Sequence, residues 1–247
     1  MRFFKLAAKG QSPANNVQQP PSVETSNIRE QSMSVPKSQM MDKLYGEKTA
    51  DRVYNRLEEL DPVLNEEIQK IAYDHYWARP GLSIRDKSLI TVTSLVAMHK
   101  EEQTRIHMNG FLNAGGTKDE LVNLLAYLAI TAGSSTSKKG FEAFKDVMKE
   151  RGEPLASIDQ MQKVFEKNVS EVKNGQKLLS SRDKAIVDLS FCVAVGDQYK
   201  TSETLKTFLN DSNNKMEDLK NVMIHLIVYC GFPAAMNGFA ALRNVLD

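Results

Sequence analysis

Residues 83–113 read SIRDKSLITVTSLVAMHKEEQTRIHMNGFLN, and residues 180–210 read SSRDKAIVDLSFCVAVGDQYKTSETLKTFLN. The two align without a gap, with ten of 31 positions identical, among them Ser83/Ser180, Arg85/Arg182, Asp86/Asp183, Lys87/Lys184 and Phe111/Phe208. After one inserted residue near Asn213-Asn214, residues 118–148 align to 216–246 with eight further identities, including Leu121/Leu219, Gly133/Gly231, Gly140/Gly238 and Phe141/Phe239. A unit this long is too large for a solenoid repeat and has the size of a small domain. The repeat therefore predicts two tandem copies of one fold about a pseudo-two-fold axis.

Inside and around the copies the signals are helical. Asp61-Pro62 reads as an N-cap with proline at the first helical position. Leu64, Ile68, Ile71, Ala72 and His75 then recur at helical spacing. Pro80 pushes Arg79 out of the α region and ends that helix. Ser83 caps a helix predicted to run through His99, the next carries His107, and Gly115-Gly116 stops it. Thr117 and Glu120 have capping-box spacing ahead of the apolar run 121–132, which Gly133 ends. A further helix is predicted over Phe141 to Met148. Val, Ile and Thr show no strand-like alternation. The expected class is all-α: a tail over 1–41, a first copy over 42–152 and a second over 153–247. Residues 10 to about 38, rich in Gln, Ser, Pro and Asn, lack an apolar face and are expected to be disordered.

The 247 residues carry 32 Lys plus Arg against 31 Asp plus Glu, a net charge of +1. That balance lacks the basic surplus used to bind nucleic acid or an anionic membrane surface, so neither is an expected partner. No apolar run is expected to approach the ~18 residues that would suggest a membrane span. Two cysteines exclude a disulfide framework, and with no signal-peptide pattern at the start they point to the cytoplasm.

The repeat also filters chemistry. Cys192 and Cys230 answer to Leu95 and Ala132, so they read as small buried hydrophobes, and no C-x-x-C motif is present. The Arg-Asp-Lys triplets at 85–87 and 182–184 read as capped helix starts with local ion pairs. His99, Gln103 and His107 share one helical face, where an imidazole could move protons near neutral pH. The counterpart of His107 is Thr204, and that of His225 is Tyr127. No H-E-x-x-H, Cys/His cluster, dinucleotide-binding glycine pattern or nucleophile elbow occurs, so no metal or cofactor is expected.

Trp77-Ala78-Arg79-Pro80-Gly81-Leu82, the helix start 85–89, and His107 followed by 110–115 resemble the carboxymuconolactone decarboxylase-like family. So does the second copy's His225-Leu226-x-x-Tyr229-Cys230-Gly231-Phe232-Pro233-Ala234-Ala235. The resemblance covers about residues 42–247. It implies an all-α fold in each copy and a homo-oligomer, with a trimer favoured for a duplicated chain. It further implies catalytic roles for His107, Arg79, Glu102 and His225, and substrate contacts from Trp77, Gln103 and Tyr229.

One branch of the family is a cofactor-free lyase acting on a small carboxylated lactone. Such an enzyme must hold an anion, stabilise oxyanion charge and deliver a proton. In this reading Arg79 is a bidentate carboxylate clamp and His107 the proton source. Gln103 stands where the family often has Glu, the first copy lacks the Tyr-x-Gly-x-Pro element, and the second lacks the histidine. Each copy keeps a different half, so either one composite pocket forms or the site has decayed. The expectation is a pocket shared by Arg79 and His107, completed by His225 or Tyr229. The alternatives are a peroxidase of the same superfamily, which needs an accessible low-pKa thiol, and a non-catalytic small-molecule-binding oligomer.

Overall fold

A computed structural model describes residues 35–210 and 215–247. These form helices α1 (Gln39–Tyr45), α2 (Glu47–Leu60) and α3 (Pro62–Glu67), which runs on into a π-helical segment (Ile68–Trp77). There follow α4 (Ile84–Ala97), α5 (Glu101–Asn113), α6 (Lys118–Thr131), α7 (Ser134–Glu150), α8 (Leu155–Lys173), α9 (Ser181–Val195), α10 (Gln198–Asn210) and α11 (Met216–Leu246). No strand occurs among the described residues. The expected disorder of residues 10–38 lies mostly outside them. The tail boundary at residue 41 needs correction, because it cuts α1: Ser38 caps that helix, and Met41, Leu44 and Tyr45 are buried.

The cap signals appear where the sequence places them. Ser83 and Ser180 accept from the backbone N–H of Asp86 and Asp183. Asp61 caps α3, and Thr117 with Glu120 completes a capping box. Gly133 (φ 90°) and Gly231 (φ 79°) both sit in backbone that L side chains avoid, one between α6 and α7 and one breaking α11. Two boundaries differ from expectation. Helix α4 ends at Ala97, and His99 lies in the following turn at φ 57°, so it leaves the face shared by Gln103 and His107. Helix α7 begins at Ser134, well before Phe141.

Helix α4 is buried at every position from Asp86 to Val96, with α9 and α11 packed on it. A helix buried on every face must satisfy its own polar side chains. Its serines return their hydroxyls to the helix backbone, Ser88 to Ile84 O at 2.9 Å and Ser94 to Thr91 O at 3.0 Å. The N-terminal turns of α4 and α9 meet through reciprocal ion pairs. Arg85 bonds both carboxylate oxygens of Asp183, at 2.9 and 3.0 Å, and Arg182 bonds Asp86 at 3.0 Å. The triplets are therefore more than local: each arginine also reaches an acid two helices on, Glu120 of α6 at 2.5 Å or Asp218 of α11 at 2.9 Å.

Helix α11 does contain an 18-residue stretch apolar enough, at mean hydropathy 1.5, to match a membrane span by length and composition. Gly231 breaks the helix, which packs against α4, α9 and α10, and a third of that stretch is buried.

A smaller core forms at the N-terminal side from Met41, Leu44, Tyr45, Ala50, Tyr73 and Trp77. Here the expected apolar face fails. Leu64, Ile71 and His75 point outward, while Asn65, Gln69, Tyr73 and Trp77 are buried. The i→i+5 turns of the π segment change the angle between successive residues, so the buried stripe departs from the one α-helical spacing predicts. Its polar members are satisfied: Gln69 donates to Asn65 Oδ1 at 2.9 Å and accepts from Ser38 N at 2.9 Å.

Candidate active site

Trp77, the last residue of the π segment, is fully buried. Its backbone carbonyl, with that of Arg79, accepts from Lys87 Nζ, the former at 2.7 Å. Burial, assisted by the charge of Arg79, holds that ammonium below its ordinary pKa. The lysine thus pins the Trp-x-Arg-Pro turn onto α4.

The indole of Trp77 lies parallel to the ring of His107 from α5, centroids 5.9 Å apart and 2° between planes. Two rings from α11 close the box. Tyr229 meets His107 edge-on at 5.0 Å, and His225 meets Trp77 edge-on at 4.8 Å. Trp77 Nε1 donates to Tyr229 Oη at 2.8 Å, and His225 Nε2 pairs with Thr91 Oγ1 at 3.0 Å. Four sequence-named residues, His107, Trp77, His225 and Tyr229, therefore converge, although the Trp77–Tyr229 bond spans 152 positions of chain.

His107 and Tyr229 line a cavity of about 1100 Å³ between α2, the π segment, α5 and α7. Gln103 and Glu102 also line it, Glu102 as an exposed residue paired with Arg56. Arg79 does not. It is exposed in the turn before α4 and is not among the described residues that line this cavity. The expected clamp is corrected on this point: Lys87 fixes the backbone of the turn while the Arg79 side chain faces outward.

The cations at the cavity are Arg52, Arg56, Arg105 and Lys139. Arg105 bonds Glu150, yet its Nε is buried without a partner. Sequence reading missed these groups and also Tyr45 and Tyr73, which line the same space. The signal was available in α2, where Thr49, Arg52, Val53, Arg56, Leu57 and Leu60 fall on one helical face and all meet the cavity.

Burial drives the His107 pKa down to about 3 and that of His225 to about 3, with the charge of Lys87 adding to the second. Both imidazoles are neutral at pH 7, so His107 in the free protein is no ready acid. Burial raises the thiol of Cys192 and pushes that of Cys230 up to about 11. Cys192 Sγ lies 3.8 Å from Thr204 Oγ1, the hydroxyl at the position equivalent to His107. Among the described residues no three His, Cys, Asp or Glu side chains gather so as to hold a metal ion.

The profile of the carboxymuconolactone decarboxylase family matches residues 62–146. A 4-carboxymuconolactone decarboxylase from Acinetobacter baylyi (strain ATCC 33305 / BD413 / ADP1) is 32% identical over 107 residues, covering 43% of this chain and 80% of the relative. The matched family segment holds Trp77 and His107. His225 and Tyr229 lie beyond it.

Proposed function

Since the chain belongs to the carboxymuconolactone decarboxylase family, we propose that it is a cofactor-free carboxy-lyase acting on a small carboxylated lactone or related acid. One observation carries this reading. A buried imidazole, His107, sits among aromatic rings on the wall of a cavity that also bears arginines. In such a setting a bound carboxylate alters the imidazole. An anion brought into a dry site raises the pKa of a neighbouring base, so substrate entry draws a proton from solvent onto His107. Loss of CO2 leaves the electron pair conjugated with the lactone carbonyl. Tyr229 Oη can donate to the developing oxyanion, and the His107 proton goes to carbon, restoring the neutral ring. The balance is RCOO⁻ plus H⁺ giving RH plus CO2. Arg52 and Arg105 replace Arg79 as the anion-holding groups within the chain.

On the same reading the protein is two tandem copies of the family domain sharing one composite site. The equivalent glycines at 133 and 231 and the reciprocal ion pairs of α4 and α9 support this. It assembles with further copies of itself in the cytoplasm, a trimer being favoured. The exposed apolar residues Tyr199, Phe232 and Met236 suit such contacts.

The test is CO2 release from a panel of carboxylated lactones. Wild-type protein should turn over at least one, and His107→Ala should lower kcat by ~10²–10⁴-fold. A second reading, a non-catalytic binding protein, is favoured by the outward Arg79. It is the outcome if these acids bind but none loses CO2. Peroxidase activity lacks a thiolate to start from, because both thiols are raised.

A further inference from the structure

The family match begins at residue 62, yet α1 lies before it and delivers a hydroxyl to the site. Tyr45, the last residue of α1, is buried and lines the cavity. Its Oη stands 3.4 Å from His107 Nδ1 and 3.4 Å from Nε2. It also lies 3.1 Å from Tyr73 Oη, and the two tyrosine rings are edge-on at 6.1 Å. We propose that Tyr45 is a positioning residue for His107, its hydroxyl holding the ring's orientation and tautomer, and that Tyr73 in turn orients Tyr45.

The geometry favours this over simple packing. At 3.4 Å from both nitrogens the hydroxyl stands at the outer reach of a hydrogen bond to each, so it selects orientation and tautomer together when one of the two contacts shortens. Active-site hydrogen bonds are often long before substrate arrives. Among the described residues Tyr45 Oη alone hydrogen-bonds the nitrogens of His107, whose ring also meets those of Trp77 and Tyr229. The rest of α1 is built to keep the hydroxyl in place. Ser38 caps the helix and bonds Gln69 and Asp74, and Asn113 from the end of α5 donates to Leu44 O at 3.2 Å. The tyrosine is thereby tied to the two elements that carry Tyr73 and His107.

The catalytic part of the proposal rests on the carboxy-lyase reading; the structural part does not, and the experiment separates them. Full-length protein labelled with ¹⁵N-histidine has four imidazoles, and His107→Gln assigns the one of interest. Tyr45→Phe keeps the ring and removes only the hydroxyl. It should move the ¹⁵N shifts of His107 and leave the exposed His75 and His99 where they are. Tyr73→Phe should move the same signals in a smaller step, and it serves if Tyr45→Phe does not fold. With a decarboxylated substrate in hand, Tyr45→Phe should lower kcat about tenfold with KM nearly unchanged, the scale of one hydrogen bond. It should also alter the pH profile of kcat. His107 signals unchanged in a folded Tyr45→Phe protein overturn the proposal whether or not CO2 is ever released. Moved signals with no turnover in the wild type sustain the positioning role and remove the lyase reading alone.

Discussion

A histidine sealed among rings works against the fold in acid. The ordinary imidazole pKa is about 6.5, and burial lowers His107 and His225 to about 3. Below pH 6.5 the unfolded chain takes up protons that the folded chain refuses. Their contribution to stability is thus intact above pH 6.5 and is lost as pH falls toward 3, at ~1.4 kcal/mol per pH unit for each ring. Urea unfolding at pH 7.5, 6 and 5 should show this loss, and His107→Gln should halve the slope between pH 6 and 5. The thiols behave conversely. Held protonated by burial, Cys192 and Cys230 should react slowly with maleimide in the folded protein and at least tenfold faster in urea. Cys192→Ala and Cys230→Ala should both keep whatever turnover the wild type shows. Rapid labelling of either folded thiol would restore the peroxidase reading.

At the scale of elements, much was legible because helix ends carry local chemistry. Ser83, Asp61, Thr117 with Glu120, and Gly133 announce caps and stops that need no knowledge of the rest of the fold. The π segment was not legible. Leu64, Ile71 and His75 have α-helical spacing, and nothing local in them shows that the backbone widens to bury Asn65, Gln69, Tyr73 and Trp77 instead. Tyr45 was missed for a related reason. Its role depends on a 62-residue separation from His107 that only packing creates. Arg79 was misplaced because a motif gives residue types, while the direction of a side chain in a turn depends on what pins the turn, here Lys87. Glycine made its own prediction. At φ 90°, Gly133 accepts a Cβ only with backbone strain although nothing stands within 4 Å of it. Gly133→Ala should therefore destabilise by ~1–2 kcal/mol, read as a Tm lowered by ~2–4 °C per kcal/mol. A steric explanation would predict no change.

At the scale of the molecule, the two halves of the described chain are joined by matched contacts. Arg85 with Asp183 mirrors Arg182 with Asp86. Tyr127 donates to Asp188 at 2.6 Å from the positions equivalent to His225 and Thr91, which pair at 3.0 Å. A side chain from α11 thus reaches α4, and one from α6 reaches α9. Helix α4 has eleven consecutive buried residues, and α9 and α11 cover much of it. Removing residues 153–247 would take His225 from Thr91, Tyr229 from Trp77, α9 and α11 from α4 and α8 from α6, uncovering apolar surface that a lone unit must hide by association. Residues 35–152 expressed alone should therefore show no cooperative monomeric unfolding and should elute as aggregate or self-associated species. Mixing with residues 153–247 should restore a soluble complex in which Trp77 fluorescence returns to that of the intact chain. A monomeric 35–152 fragment with a sharp urea transition would mean that the first half holds its own core, and that the reciprocal contacts tune the site rather than hold the molecule together.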